Sequence, residues 1–383
     1  MTDTNDMQDA TAAPAPHTLT VASHEWATRP DDERFQTLDA LSESVSSRMK
    51  LSREETVNTR NVSAAVFEDG LRVMIEGNEP GAPTNWSFGQ LAKAADFRVT
   101  ELRKLTPETA AIVLNEQLRK ADGQDVKVMR LLGDDCDKIQ AVTSPSYGRI
   151  FDSEVVDMVK KVVELSDGKF YNPKAYAMGK FGGEPVPSGL YASDRDVFMF
   201  MIDGGSILDC GERAQFNRGF IVSNSEVGKA SLTLMSFLFN TVCSNHLIYG
   251  ATGINVRRIV HSSGAPERFA KDAFEELMIF AKQEVDMSPF AKAQAIKLVD
   301  IRPGSHDFHT ERDKWMKAFA EKYKFAVGEV RAAISAAIME EGKCDTLWDV
   351  IQGFTASART CPHIDTRVDL ERRAGALLTL AGG

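Results

Sequence analysis

The sequence predicts an α+β protein with a mainly antiparallel β-sheet core, helices packed on one side of it and a helical C-terminal third. Short apolar runs separated by turn residues fill the middle of the chain, and segments with apolar residues three and four positions apart follow them. The connections between these runs are rich in turn residues and contain no helix long enough for the crossover that joins parallel strands. Strands followed by a run of helices are typical of the α+β class.

The central strands are predicted from apolar runs that end at turn residues. They cover residues 197–202, 219–223, 229–239 and 254–260. Nearer the N-terminus, residues 62–75 predict a hairpin, because Asp69 and Gly70 supply the positive φ angles of a tight turn. A further strand pair is predicted at residues 126–132 and 139–142.

Helices are predicted before, between and after these strands. The first two segments are residues 35–49 and 85–120, and within the second of them Thr106 and Pro107 mark a new helix start. Asp152 is expected to cap a helix over residues 153–165. The C-terminal helices are predicted at residues 266–284, 289–298, 312–323, 327–340, 346–357 and 368–380.

The composition predicts a globular protein outside the membrane. Of the 383 residues, 43% are hydrophobic, enough for a core, yet no run approaches the ~18 consecutive apolar residues of a membrane span. The polar start contains no basic stretch followed by an apolar one, so no secretory signal is expected. The five cysteines are widely spaced, which favours reduced thiols and a cytoplasmic location.

Three regions are expected along the chain. Residues 1–34 predict a disordered acidic leader, because they are rich in Asp, Thr, Ala and Pro and poor in aromatic residues. Residues 35–143 predict an N-terminal α+β region, and residues 144–383 hold the core sheet followed by the C-terminal helices. Since the net charge is -10, any nucleic-acid contact must come from a local basic face.

A carboxylate pair suggests a metal site. Asp194 and Asp196 are two residues apart, so on an extended backbone they share one face while Arg195 points the other way. Such a pair can hold Mg²⁺, with Glu226 as a third ligand. The alternative is a polar strand entry in which the aspartates cap backbone amides and pair with Arg195.

Phosphate binding is suggested at two further places. Residues 224–228, together with Lys229, form a polar loop between two strands whose amides could bind a phosphate, although ordinary turn chemistry also explains them. Arg257 and Arg258 are consecutive on a predicted strand, so one guanidinium lies on each face and one can reach solvent.

Weaker patterns complete the set of candidates. Cys243 and His246 could form a nucleophile pair, but three-residue spacing within one segment is unlike a cysteine protease. His306 and His309 have metal-like spacing without a further ligand nearby. Residues 88–102 have the cadence of a helix-turn-helix, and an ordinary helix pair is the alternative. Phosphate-loop, dinucleotide-binding and hydrolase-elbow signatures are absent from the sequence.

Several segments, in a fixed order, carry a family resemblance. They are residues 85–92 (NWSFGQLA), 144–150 (SPSYGRI), 190–196 (LYASDRD), 219–228 (GFIVSNSEVG) and 243–246 (CSNH). Together they resemble the phage/plasmid-like proteins classed as domain of unknown function 932, from about residue 60 to the end. The resemblance implies a gene of a phage, plasmid or integrated element in a bacterial cytoplasm. The predicted fold also resembles that of ring-forming single-strand annealing proteins.

These observations lead to an expected function and two alternatives. The leading expectation is a DNA-binding protein of a mobile element that acts on single strands in replication or recombination, uses no cofactor and can form homo-oligomers. The cations expected to contact phosphates are Arg195, Lys229, Arg257 and Arg258. The aromatic residues expected to stack on bases are Tyr147, Tyr191 and Phe220. The alternatives are a Mg²⁺-dependent nuclease or phosphodiesterase using Asp194, Asp196 and Glu226, and a non-enzymatic virion or host-interaction protein.

Overall fold

A computed structural model describes the protein as two β-sheets with helices around them. It describes residues 31–120, 123–166, 169–172, 189–209, 215–240, 256–282, 287–358, 370 and 373–382. The first strands are β1 (Arg34–Phe35), β2 (Ser52–Asn58), β3 (Val62–Phe67), β4 (Gly70–Ile75), β5 (Gly81–Pro83), β6 (Asp125–Leu131) and β7 (Asp137–Thr143). The others are β8 (Phe170–Tyr171), β9 (Leu190–Ala192), β10 (Val197–Asp209), β11 (Gln215–Asn224), β12 (Leu232–Asn240) and β13 (Val256–Ile259).

The helices fall into three groups along the chain. The N-terminal group is α1 (Leu38–Leu51), α2 (Asn85–Ala94), α3 (Val99–Leu102) and α4 (Pro107–Lys120). The middle group is α5 (Asp152–Leu165), α6 (Ala265–Arg268) and α7 (Phe274–Lys282), with one π-helical turn, Phe269–Ala273, between the last two. The C-terminal group is α8 (Ser288–Ala295), α9 (Arg312–Tyr323), α10 (Val327–Glu341), α11 (Leu347–Ala358) and α12 (Thr379–Gly382).

The larger sheet contains the central strands that the sequence predicts. Its order is β1-β9-β10-β11-β12-β13, with β8 paired to β10, and every pair is antiparallel. Short turns join these strands wherever the structure describes the connection, because antiparallel neighbours need no crossover. The predicted α+β class with a mainly antiparallel core is confirmed.

Helices cover both faces of the larger sheet, which corrects the expectation that they lie on one side. Phe200 and Phe237 pack with α8 to α11 in one core, whereas Met199 and Val222 pack with α1, α5 and α7 in another. Strands that are apolar at successive positions, as β10 is, expose hydrophobic side chains on both faces of a sheet. A layer on each face is therefore needed to remove them from water.

The smaller sheet has the order β2-β6-β7-β5-β4-β3. Its β3–β4 hairpin is the predicted one, and Gly70 has the positive φ of 125° that the turn requires. One pair, β5 with β7, is parallel. Helices α2 and α4 cover one face of this sheet, where Leu91 and Leu114 are buried against the strands.

The N-terminal boundary differs from the expected division at residues 34 and 35. Most of the predicted leader lies outside the described residues, but Arg34 and Phe35 form β1 and pair with β9 of the larger sheet. Helix α1 packs on α5, and its Leu41 is fully buried in the same core as β10. Helix α1 therefore belongs with the C-terminal region in space, although it precedes the smaller sheet in sequence.

Two helix starts refine the predictions made from capping patterns. Thr106 accepts a hydrogen bond from the Thr109 amide at the start of α4, as expected of a cap. At α5 the cap is Phe151, whose amide donates to the Glu154 carboxylate, and Asp152 is already the first helical residue. The Asp152 carboxylate is consequently available for contacts with other elements.

The helix-turn-helix pattern becomes a helix followed by a single helical turn. Asp96 has a φ of 50° in the connection, the conformation that glycine usually supplies in such motifs. Helix α3 contains only 4 residues, which is too short to serve as a recognition helix in a DNA groove.

Candidate functional site

The two sheets meet around the turn between β11 and β12. The carbonyl oxygen of Val227 accepts hydrogen bonds from Trp86 Nε1 at 3.1 Å and from Gln90 Nε2 at 2.7 Å, both on α2. Gln90 also accepts from the Val142 amide of β7 at 2.9 Å through its Oε1. The turn is thus fastened to the smaller sheet by its backbone, as expected for a buried loop whose polar groups must be paired.

A buried charge cluster lies beside this turn. Arg48 of α1 donates to Asp152 Oδ2 at 2.7 Å, and its Nε lies 3.3 Å from Glu226 Oε1. Asn224 donates to Asp152 Oδ1 at 2.8 Å, and the Asp152 amide donates to Glu226 Oε2 at 3.0 Å. One guanidinium therefore holds two carboxylates that come from α5 and from the β11–β12 turn.

The protonation of Asp152 is shifted by its surroundings. Burial raises the pKa of Asp152 well above its ordinary value, and the nearby Glu226 carboxylate raises it further. Arg48 and the hydrogen bond from Asn224 act in the opposite direction. The cluster thus combines one cation with two buried carboxylates, an arrangement whose stability depends on every partner being present.

A second arginine crosses the junction between the sheets. Arg149 donates to the Glu226 carbonyl oxygen and, through Nε, to Glu54 of β2, while its guanidinium lies 5.2 Å from the ring centre of Tyr147. Arg149 is buried, so these contacts replace the water that a guanidinium would otherwise bind.

A stacked pair of rings closes one side of the junction. Tyr147 and His261 have ring centres 5.0 Å apart and planes inclined by 12°. The Tyr147 hydroxyl donates to the Ser225 carbonyl oxygen at 3.0 Å, and His261 Nδ1 lies 3.1 Å from the Gly148 carbonyl oxygen. Burial lowers the pKa of His261, so the ring is neutral at pH 7 and carries its proton on Nδ1.

The three predicted metal ligands are not brought together. Asp196 accepts from Lys229 Nζ at 2.7 Å and from the Ser193 hydroxyl at 2.9 Å, and Glu226 is bound by Arg48. Residues 193–196 form a bend rather than an extended strand, so Asp194 points away, half-exposed, with its Oδ1 3.4 Å from Arg195 Nε. Among the described residues, no three carboxylate, imidazole or thiol side chains are arranged around an ion.

Two of the three aromatic residues predicted to stack on bases are unavailable. Tyr191 and Phe220 are both 0% exposed, because they point into the cores on the two faces of the larger sheet. Tyr147 is partly exposed, but one ring face is stacked on His261. The stacking role assigned to Tyr191 and Phe220 is therefore wrong. Helices cover both faces of the larger sheet, so an aromatic side chain of its strands is buried whichever face it points to.

The predicted cations have different environments. Lys229 is bound to Asp196, so its charge is already balanced by a protein carboxylate. Arg195 is half-exposed at the bend before β10, and Arg258 is exposed on β13. Arg258 is level with Thr233, Ser223 and Phe198 across the sheet, so it lies at the same end as Arg195, which precedes β10. Strands β11 and β12 lie between them.

A basic edge surrounds β13 and the helix that follows it. We define it by four cationic side chains, which are Arg257, Arg258, Arg268 and Lys271. Between residues 256 and 271 the only acidic side chain is Glu267. Arg268 donates to the Val260 carbonyl oxygen at 3.0 Å, which places the helix start against the end of the strand.

The two consecutive arginines straddle this edge. Arg257 is opposite Leu234 on the face that carries α7, and its guanidinium lies 4.0 Å from Asp272, just past Lys271. Arg258 is opposite Thr233 and points to the other face. The prediction that each guanidinium would lie on a different face agrees with this register.

The remaining sequence candidates have no assembled site. Cys243 and His246 lie outside the described residues. His306 Nδ1 is 3.4 Å from Glu311 Oε2, and His309 is exposed beside Phe308. In the polar loop at residues 224–228, the first four residues are buried between the sheets and Gly228 is exposed. Its carbonyl oxygens accept from α2 and Arg149, so the structure favours turn chemistry over a phosphate platform.

The junction cluster itself is not visible in the sequence. Arg48, Asp152 and Glu226 are far apart in the chain, and no local spacing connects them. No local pattern marks Arg149 or Asp152 as buried, because charged residues are almost never fully buried unless a partner, here from a distant segment, pairs with them.

Comparisons with known protein families, with characterised proteins and with solved structures give no match. Within the described part of the chain, no helix combines the length and the apolar character needed to cross a membrane.

Proposed function

We propose that this protein binds single-stranded DNA through the basic edge formed by Arg257, Arg258, Arg268 and Lys271. The observation that supports this proposal is the concentration of four cations over residues 256–272, against the two carboxylates Glu267 and Asp272, in a chain whose net charge is -10. A local basic strip in an acidic protein attracts phosphates to one place and repels them elsewhere. The acidic remainder of the surface then limits non-specific association of the protein with nucleic acid, because it repels phosphates.

The geometry favours contact with the phosphate backbone over recognition of bases. Arg258, Arg268 and Lys271 are exposed and lie on a strand and on the helix beginning just after it. A row of cations along an edge can follow one phosphate backbone. Since Tyr191 and Phe220 are buried, base stacking on them contributes nothing, and we expect little dependence on base sequence.

We place the activity in the cytoplasm of a bacterium that carries a mobile element, in line with the family resemblance. No metal is required for the contacts proposed here, because guanidinium and ammonium groups bind phosphates directly. Arg195, at the same end of the sheet with β11 and β12 between it and β13, would contact a phosphate further along the same DNA strand.

The test is the salt dependence of binding to a fluorescently labelled oligothymidylate of about 30 nucleotides. Each phosphate contact on a single strand contributes about -0.7 to the slope of log affinity against log salt, so three or four contacts predict a slope between about -2 and -3. The variant Arg258→Glu with Arg268→Glu is expected to weaken binding at least tenfold and to flatten the slope.

The matched control is Arg302→Glu with Arg331→Glu, which makes the same charge change at two exposed arginines, one just before α9 and one on α10. It is expected to leave affinity and slope nearly unchanged. An equal loss in the control, or no binding of the unaltered protein at low salt, would rule the proposal out. Tighter binding to a duplex of the same length would move the assignment from single-stranded to double-stranded DNA.

A further inference from the structure

Helix α7 presents an apolar stripe outside the core that it helps to build. Its Leu277 and Phe280 are buried against the larger sheet, whereas Ile279 is 57% exposed. Phe274 and Met278 are partly exposed beside it. The stripe borders an open groove of about 550 Å³ that is lined by Phe274, Glu275, Met278, Ile279 and Lys282.

The charges at the two ends of this groove have opposite sign. Glu275 and Lys282 are seven residues apart, so they lie on the same side of an α-helix, two turns apart. Met278 and Ile279 lie between them. The face therefore has an acid at one end, a base at the other and apolar side chains in the middle. Two copies of it placed antiparallel set an acid opposite a base at each end.

We infer that this face of α7 packs against the same face of α7 in a second copy of the protein. The two helices run antiparallel around a two-fold axis. An axis that passes between Met278 and Ile279 places each Glu275 opposite Lys282 of the second copy. The same axis sets Met278 against Ile279 of that copy. The ion pair and the apolar contact then each form twice, as an isologous interface requires.

Helix α5 borders the same surface. Lys161 of α5 lies with its ammonium 5.1 Å from the ring centre of Phe274, beside the groove. Leu165, one turn further along α5 on the same face, is 56% exposed. An apolar side chain at that position enlarges the area that a second copy can cover.

The size of this surface predicts a weak dimer. Helix α7 has 9 residues, so it is about 13 Å long, and its pairing falls below the roughly 1,200 Å² of total area that stable interfaces bury. The dissociation constant is therefore expected in the micromolar range. Sedimentation velocity of the full chain between about 1 and 100 µM should show a monomer passing into a dimer.

Charge reversal tests the antiparallel arrangement directly. Glu275→Lys places lysines opposite one another twice, and Lys282→Glu does the same with glutamates, so each variant is expected to weaken the dimer about tenfold or more. The double variant restores both attractive pairs and should restore the dimer. A mixture of the two single variants should also associate, because a heterodimer between them contains only attractive pairs.

The apolar contact is tested by Ile279→Asp, which is expected to abolish dimerisation. Its matched control is Ile112→Asp, at an isoleucine of α4 that is 65% exposed and takes no part in the proposed contact. A monomeric protein at 100 µM would overturn the inference, as would a dimer that survives Ile279→Asp. Failure of both the double variant and the mixture to associate would overturn the antiparallel pairing. DNA binding by the monomer is measured separately, so failure here leaves the proposed function intact.

Discussion

Arg48 and Asp152 are 104 residues apart in sequence, and the Arg48 guanidinium donates to the Asp152 carboxylate at 2.7 Å. The same side chain also approaches Glu226 and donates to the Ser193 carbonyl oxygen. The guanidinium that α1 carries therefore has partners from three other segments of the chain. The contact joins α1 to the larger sheet, although α1 precedes the whole smaller sheet in the chain.

Replacing Arg48 with methionine is expected to destabilise the protein by about 3 kcal/mol near pH 7.5, the cost of removing one partner from a buried ion pair. Methionine keeps much of the side-chain volume but leaves Asp152 and Glu226 facing each other without a cation. The midpoint of urea unfolding measures the loss. Lys50→Met, at an exposed position of the same helix, should change the midpoint little.

The loss in Arg48→Met should shrink as the pH falls. Burial and Glu226 raise the pKa of Asp152 above its ordinary value of 3.8, and Arg48 opposes that rise. A carboxyl with a raised pKa in the folded state contributes its full stability below the unfolded pKa and loses it as the pH rises through the folded pKa. Without Arg48 the folded pKa rises further, so the difference from the natural protein is smaller at pH 5 than at pH 7.5. A difference that grows on acidification would contradict this account.

The fold was predictable because its signals are local. Residues 197–202 are continuously apolar and end in Asp and Gly, which is enough to predict a strand and its end. The hairpin at Gly70 follows from two adjacent residues. By contrast, covering both faces of the larger sheet depends on α1 and α5, which come from distant parts of the chain, and no window of sequence contains that information.

The candidate site was predictable only in part, for the same reason. Arg257 and Arg258 were identified because adjacency on a strand fixes opposite faces. Asp194 and Asp196 do not form the predicted ligand pair, because the chain bends at residues 193–196 and the prediction requires an extended backbone there. Arg48 could not be found, since its importance comes from partners that only the tertiary structure places beside it.

Helices α10 and α11 cross so closely that Gly353 has no room for a side chain. A Cβ at Gly353 would lie 2.0 Å from the Ala333 carbonyl oxygen, a backbone atom that moves only with its helix. Gly353→Ala is therefore expected to destabilise the protein by about 2 to 3 kcal/mol through overpacking. Thermal unfolding followed by circular dichroism would show a lower midpoint.

Gly328 supplies the matched control for that substitution. It lies in α10, and a Cβ there would meet nothing within 4 Å. Gly328→Ala should raise stability by about 0.5 to 1 kcal/mol, because alanine favours the helix over glycine. Equal effects of the two glycine substitutions would show that helix propensity, and not the crossing of α10 and α11, decides the outcome at Gly353.

Cys344 should resist alkylation in the folded protein. Burial raises the pKa of its thiol to about 12, so the reactive thiolate is scarce at pH 8. Cys136 is partly exposed and should react first. Mass spectrometry of the peptides after timed iodoacetamide treatment compares the two residues. Labelling of Cys344 as fast as Cys136 under native conditions, with equal rates in urea, would refute the burial argument.

The Val227 carbonyl oxygen should make Trp86 and Gln90 energetically dependent on each other. Both side chains donate to this one atom, so either single loss leaves it with one partner. Trp86→Phe is expected to cost about 1 kcal/mol, and Gln90→Ala about 2 kcal/mol because it also leaves the Val142 amide without an acceptor. The double variant should cost about 1 kcal/mol more than their sum, because the buried Val227 carbonyl then has neither donor. Urea unfolding of the four proteins closes the double-mutant cycle. Strict additivity would mean that water replaces the missing donors, and that the turn is held to the smaller sheet by its other contacts, including those of Arg149 and Tyr147.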